Sequence, residues 1–240
     1  MRRSTKQLAF ALPPIRTWGG RRPGAGRKRS GPQRVPHAKR APHAPRHPCH
    51  VTIRARRGLP SLRSPRFVRA FEHSFRELRA RSEFRVVAYS LLPDHAHFMI
   101  EANDARALAR GMKALGARIA RTVHRVFRRA GSALADRYHA RALETPREVR
   151  NALAYVLLNA KKHGLRFAEA VLDPCSSGRW FEGWRTAIRA ATDPPAVSRA
   201  RTWLLSVGWR RAGLIGPSEV PGVRVYAASA RAGATRPLRR

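Results

Sequence analysis

His95 and His97 are separated by one alanine within His95–Glu101, a run that reads as a β-strand. Side chains at i and i+2 of a strand share a face, so the two imidazoles point the same way and are close enough to hold one divalent metal ion. Ala96, Phe98 and Ile100 would turn to the opposite side and anchor the strand, while Glu101 shares the histidine face, where it could ligate or orient. Taken alone, the pair fits surface or core histidines equally well. A second group sits further along. Val149, Ala152, Leu153, Val156, Leu157 and Ala160 keep the period of a buried helical stripe. At ~100° per residue, Tyr155, Asn159, Lys162 and Arg166 fall together, off that stripe. An exposed tyrosine at a domain edge has the same pattern. A free phenol is a weak nucleophile because it ionises only near pH ~10. Beside a metal and cationic side chains, its oxygen can attack a phosphodiester in line.

The elements that must position these groups can be read from the pattern. Cys49–Ile53 reads as a short strand, followed by a helix with Ser64 as N-cap, Pro65 at its first position and Phe67, Phe71, Phe75 and Leu78 as its buried stripe. Phe84–Leu92 is apolar on both faces, as a central strand requires. Pro93-Asp94 turns into the histidine strand. Asn103 or Asp104 caps a long helix carrying Leu108, Met112, Leu115, Ile119 and Val126, with Gly131 as its stop. A further strand is expected over Arg137–Leu143. Thr145-Pro146-Arg147-Glu148 is a capping box with proline at the first helical position, and Gly164 is the natural end of that helix. The order predicts an α+β fold: a ferredoxin-like sandwich with a mainly antiparallel sheet and helices on one face. Residues 1–47 are expected to be a flexible basic arm, 48–166 the catalytic domain, and 167–240 a partly helical extension with a disordered end. The tryptophans of that extension would either cover the core or stack on unpaired bases.

Charge narrows the partner. Fifty Lys and Arg stand against fourteen Asp and Glu in 240 residues, a net charge of +36, which calls for a polyanion. Six of the fifty are Lys; the arginine excess suits bidentate phosphate contacts and also suits a GC-rich genome. No apolar run is long enough to span a membrane and no signal peptide is present, so a cytoplasmic, nucleoid-associated bacterial protein with reduced Cys49 and Cys175 is expected. In the arm, Arg21, Arg22, Arg27 and Lys28 flank Pro23 and Gly24. They are candidates for DNA contact, either as a minor-groove hook or as a general phosphate-binding tail. His37, His43, His47 and His50 recur there without a Cys or carboxylate to complete a metal site. A structural zinc domain is disfavoured for the same reason.

Leu92-Pro93-Asp94-His95-Ala96-His97-Phe98-Met99-Ile100-Glu101 resembles the His-hydrophobic-His signature of the single-tyrosine (HUH) transposases of the insertion-sequence-200-like superfamily. Ala154-Tyr155-Val156-Leu157-Leu158-Asn159 resembles their catalytic helix, and Asp136-Arg137-Tyr138-His139, Thr145 and Glu148 the stretch leading into it. The nearest likeness is to the REP-associated tyrosine transposases. The resemblance covers residues 46–166 or so. It implies that Tyr155 is the nucleophile and that His95, His97 and Asn159 bind Mg²⁺ or Mn²⁺; Glu101 and Lys162, by their strand and helix positions, are candidates for support. It further implies single-stranded or hairpin DNA as partner, a 5′-phosphotyrosine intermediate, and a monomer or homodimer. Asp94 stands where an asparagine is common and is expected to face away from the metal. The alternative is a catalytically silent protein that binds hairpin DNA or RNA.

Overall fold

Alternation and capping act as the sequence leads one to expect. The computed structural model describes residues 42–78, 82–165, 172–189 and 191–221. Arg21, Arg22, Arg27, Lys28 and Arg166 lie outside these, as do most of the basic arm and the last nineteen residues. Strands β1 (Cys49–Arg54), β2 (Phe84–Leu91), β3 (His95–Ala102) and β4 (His139–Ala142) form one antiparallel sheet in the order β2-β3-β1-β4. Helices α1 (Pro65–Leu78) and α2 (Ala105–Phe127) pack against one face. There Phe67, Phe71 and Phe75 meet Tyr89, Phe98 and Ile100, the residues of β2 and β3 that point away from the histidines. Gly111 makes the closest approach in this layer: a Cβ there would sit 2.0 Å from the Phe84 ring. Asp104 caps α2 by accepting from the Ala107 amide. The helix stops earlier than expected, at Arg128 in the left-handed region, with Gly131 in the following turn.

The expectation of helices on one face holds for α1 and α2. It does not hold for α3 (Pro146–Leu157), which lies on the other face against β2 and β3. The histidine face also carries Ala88 and Met99, and that apolar area needs cover. Val149, Leu153, Val156 and Leu157 supply it from α3, joined by Leu204, Leu205, Trp209 and Ile215 from the C-terminal segment. Among its described residues, that segment contributes one short helix, α5 (Trp203–Ser206), with 3₁₀ turns at Ser177–Trp180 and Gly208–Ala212. The capping box of α3 is formed as read: Thr145 and Glu148 each accept from the other's backbone amide. Its end is not as read. Leu158 leaves helical geometry (φ −112°, ψ 13°), and a separate turn, α4 (Asn159–Lys162), precedes Gly164. Tyr155 and Asn159 therefore lie on two successive helical pieces, and the shared face expected of one continuous helix is broken between them.

The edge of β2 is covered too. Ser198 donates to the Val86 carbonyl, Leu91 donates to that of Cys175, and the Ser177 hydroxyl accepts from the Tyr89 amide beside a bulge at Val86–Ala88. Among the described residues, no helix is long and apolar enough to cross a membrane.

Candidate functional site

β3 begins with the two histidines, and their rings lie 4.9 Å apart, perpendicular to each other. Each is held from behind. The Nδ1 of His95 contacts the Asp94 carboxylate at 2.7 Å, which draws the Asp94 pKa below its ordinary value. Asp94 thus sits at the Nδ1 side of its neighbour's ring. A carboxylate on one imidazole nitrogen fixes the tautomer and leaves Nε2 with its lone pair, the usual support for a metal-ligating histidine. His97 is supported from β1. Its Nδ1 lies 3.0 Å from the Thr52 hydroxyl and 3.2 Å from Nε2 of His50, whose ring stacks on it at 5.1 Å. Burial, then the neighbouring His50, His95, His163 and Lys162, push the His97 pKa down to about 3. Burial, then His139 and Arg141, push that of His50 down to about 4. Both rings are therefore neutral at pH 7, the state in which imidazole ligates.

From the other side, α3 lays the Tyr155 ring edge-on to His97 at 5.1 Å and to His50 at 5.6 Å. The ammonium of Lys162 lies 4.7 Å from the centre of the Tyr155 ring, and His163 approaches His95 at 5.8 Å between ring centres. Asn159 opens α4 with a fully buried side chain. Among the described residues, four buried side-chain polar atoms have no hydrogen-bond partner: Nε2 of His97, both amide atoms of Asn159, and the hydroxyl oxygen of Ser90. Ser90 is the cross-strand partner of His97. Leaving such an atom buried and unpaired costs roughly 1–3 kcal/mol, and structures rarely carry that cost without a use for it.

Among the described residues, no three His, Cys, Asp or Glu side chains gather as a ready metal site. The residues that the resemblance names as ligands bring two imidazoles and an amide, and Nε2 of His97 and Oδ1 of Asn159 are donor atoms of the kind a divalent ion takes, left without a partner. The cysteines take no part: both are buried, and burial pushes each thiol up to about 11.

Of the expected residues, His95, His97, Tyr155 and Lys162 come together. Glu101 does not. It lies four residues beyond His97, about 13 Å along the strand, fully buried and fully bonded. The Nε of Arg85 donates to it at 2.8 Å, and the amides of Arg201 and Thr202 and the Thr202 hydroxyl complete its shell. It pins the C-terminal segment to the sheet and has no lone pair left for a metal. Four residues at the site were not singled out as parts of it: His50, Thr52, Ser90 and His163. His50 and Thr52 obey the same i, i+2 rule as the histidine pair, but only the register of β1 on β3 shows that the two faces coincide.

The family model of IS200-like transposases matches residues 47–157, which span the whole sheet, the histidine pair and Tyr155. Over these residues the chain is similar to the IS200-like transposases. The fold is similar to that of a REP-associated tyrosine transposase solved bound to a REP hairpin, at 14% identity and a TM-score of 0.45 over 54% of this chain and 75% of that one. It is also similar to a candidate transposase from Deinococcus radiodurans, at 14% identity and a TM-score of 0.35 over 47% of this chain and 87% of that one. No curated protein matches the chain in sequence. His50, Thr52, Ser90, His95, His97 and Tyr155 all lie within the matched residues.

Proposed function

We propose that the chain cuts and rejoins single-stranded DNA at REP-type hairpins through a 5′-phosphotyrosine on Tyr155, with Mg²⁺ or Mn²⁺ held by His95, His97 and Asn159. One observation carries this reading: the Tyr155 ring lies against His97, whose outward nitrogen is buried and unpartnered along with the amide of Asn159. A bound divalent ion would draw charge off the phosphate oxygens as it builds up in the transition state. The rest falls to the chain. Asp94 and Thr52 fix the ring orientations of His95 and His97. Lys162 holds its ammonium against the Tyr155 ring, where it can meet an oxygen of the bound phosphate. The phenolate oxygen attacks phosphorus in line, the bond from phosphorus to the 3′-oxygen breaks, and that oxygen leaves and takes up a proton. Rejoining is the reverse: a strand's 3′-hydroxyl displaces the tyrosine and gives up its proton. The phosphotyrosine conserves the energy of the broken bond, so no nucleotide cofactor is required.

The test is incubation with end-labelled hairpin DNA and Mn²⁺, followed by a denaturing gel. Wild-type protein should retain label, and peptide mapping should place it on the tryptic fragment 151–161. Tyr155→Phe and His97→Ala should each lower adduct formation at least about a thousandfold while hairpin binding persists, and EDTA should reproduce the His97→Ala result on wild-type protein. Label on the fragment holding Tyr138 would overturn the assignment of the nucleophile. Tight binding with no adduct under any metal would make the protein a catalytically silent hairpin binder instead.

A further inference from the structure

The far end of α3, away from Tyr155, opens onto a cavity of about 710 Å³ whose lining includes Arg46, Glu144, Arg201 and Trp203. Trp203 is 49% exposed, the one tryptophan among the described residues that presents so much of its ring to solvent. Trp209, by contrast, is buried in the core that α3 covers. Nothing in packing calls for an exposed indole here. The Trp203 edge rests on Gly208, where a Cβ would come within 2.6 Å of the ring, and the Arg211 guanidinium stands 4.9 Å from its centre. The ring is thus held in place while part of it faces open space. The charged residues of the lining are Arg46, Arg85 and Arg201 with Glu144, which lies 3.9 Å from His47; Glu101 takes up Arg85, and Arg211 stands over the ring.

A path links this cavity to the catalytic residues. α3 packs on β2 and β3, and toward the β1–β4 side of the same sheet face exposure rises, with His50 and Thr52 half-buried among the described residues. His139 and Arg141 stand exposed on it, paired in register with Thr52 and His50. β4 starts at His139, beside the Thr52 that supports His97, and passes Arg141, and the chain continues beyond its end at Ala142 to Glu144 at the cavity rim. Twelve helical residues separate the two ends of α3, about 18 Å, a span of a few nucleotides.

We propose that this more exposed side of the sheet face is a single-stranded DNA track ending at Trp203, where an unpaired base a few nucleotides from the reacting phosphate stacks on the indole and its phosphates meet Arg141, Arg201 and Arg46. An aromatic platform beside arginines is the chemistry that holds unpaired bases with little regard to sequence. The site deepens the proposed function, since it rests on single-stranded DNA being the substrate, but it reads out in binding and not in cleavage.

The experiment uses full-length Tyr155→Phe protein in EDTA, so that neither nucleophile nor metal matters. Binding is measured to one hairpin with and without a six-nucleotide single-stranded extension on either side. Stacking on one aromatic side chain is worth ~1–3 kcal/mol, so Trp203→Ala should weaken binding of one extended hairpin by about tenfold to a hundredfold, leave the blunt hairpin unchanged, and abolish the tryptophan quenching that the extension causes. Trp203→Phe should restore most of the affinity, and an iodouracil in the extension should crosslink to the tryptic fragment 202–210. An unchanged affinity for both extended hairpins, or an equal loss for blunt and extended DNA, would overturn the proposal. If Trp203→Ala fails to fold, the crosslink and Trp203→Phe decide it: no crosslink to 202–210 together with no loss of quenching is equally fatal. A track confirmed here while Tyr155 forms no adduct would sink the catalytic reading alone.

Discussion

β3 carries polar side chains at both ends of one face, and the two ends are built on opposite principles. At its C-terminal end the Glu101 carboxylate is fully buried but meets Arg85, two amides and a hydroxyl, so every strong acceptor direction is used. At its N-terminal end His97 is almost as buried, yet one ring nitrogen, the facing Ser90 hydroxyl and both amide atoms of Asn159 have no partner. Burial alone does not separate structure from function; satisfaction does. A saturated group holds the fold and has nothing left to give a ligand. An unsaturated one weakens the fold and keeps a lone pair for something else.

The contrast breaks most visibly at Glu101. Removing one partner of a buried pair leaves the other charge uncompensated, at a cost of roughly 3–5 kcal/mol. Glu101→Ala should lower the free energy of unfolding in urea by about that amount, because Arg85 has only slight exposure and Thr202, the N-cap of α5, loses its acceptor. Folded Glu101→Ala protein should bind Mn²⁺ as wild type does. The double change Arg85→Met with Glu101→Leu should recover most of the stability, since an apolar pair of similar volume replaces a buried ion pair at little cost. A variant of full stability that has lost its metal would place Glu101 back among the ligands.

Asn159→Ala should behave in the reverse way. Two orphaned polar atoms leave the interior, which offsets the small cavity left behind, so stability in urea should stay within about 1 kcal/mol of wild type. Mn²⁺ affinity, followed by the paramagnetic signal of the free ion, should fall at least about tenfold, the scale on which even supporting groups of a metal site act. A large loss of stability with metal binding intact would make Asn159 a packing residue and end its role as third ligand.

Much of this was legible beforehand because it rests on local rules. Period-2 alternation put His95 and His97 on one face, the capping box started α3 at Pro146, and the polar position of Tyr155 followed from the stripe of Val149, Leu153 and Val156. What escaped depends on contacts remote in sequence. The strand pattern gave Glu101 the correct face, but a partner such as the Arg201 amide, a hundred residues away, could not be inferred from it. The break at Leu158 has no proline or glycine to announce it. His50 and Ser90 became neighbours of His97 only through strand register. The second helical layer was missed because Ala88 and Met99 look like ordinary central-strand residues until one asks what covers the histidine face.

Ser90 gives the smallest effect and the finest test of the contrast. Its side chain is fully buried, its hydroxyl has no partner, and it sits across from His97 on the face that α3 covers. Were the hydroxyl structural, Ser90→Ala would cost stability as the loss of a hydrogen bond does, about 1 kcal/mol. With no bond to lose, the substitution should instead leave the unfolding free energy unchanged or raise it by up to about 1 kcal/mol, because a buried unpaired hydroxyl is replaced by a methyl group of similar size. Adduct formation then shows what the hydroxyl is for. If it bonds the bound phosphate or a metal-held water, Ser90→Ala should slow the reaction about tenfold or more in the presence of Mn²⁺, with hairpin affinity and thermal midpoint unmoved. A slower reaction with a higher midpoint is the signature of a group kept for use and not for folding. A lower midpoint with an unchanged rate would place Ser90 with Glu101, and the rule drawn from β3 would fail at its third example.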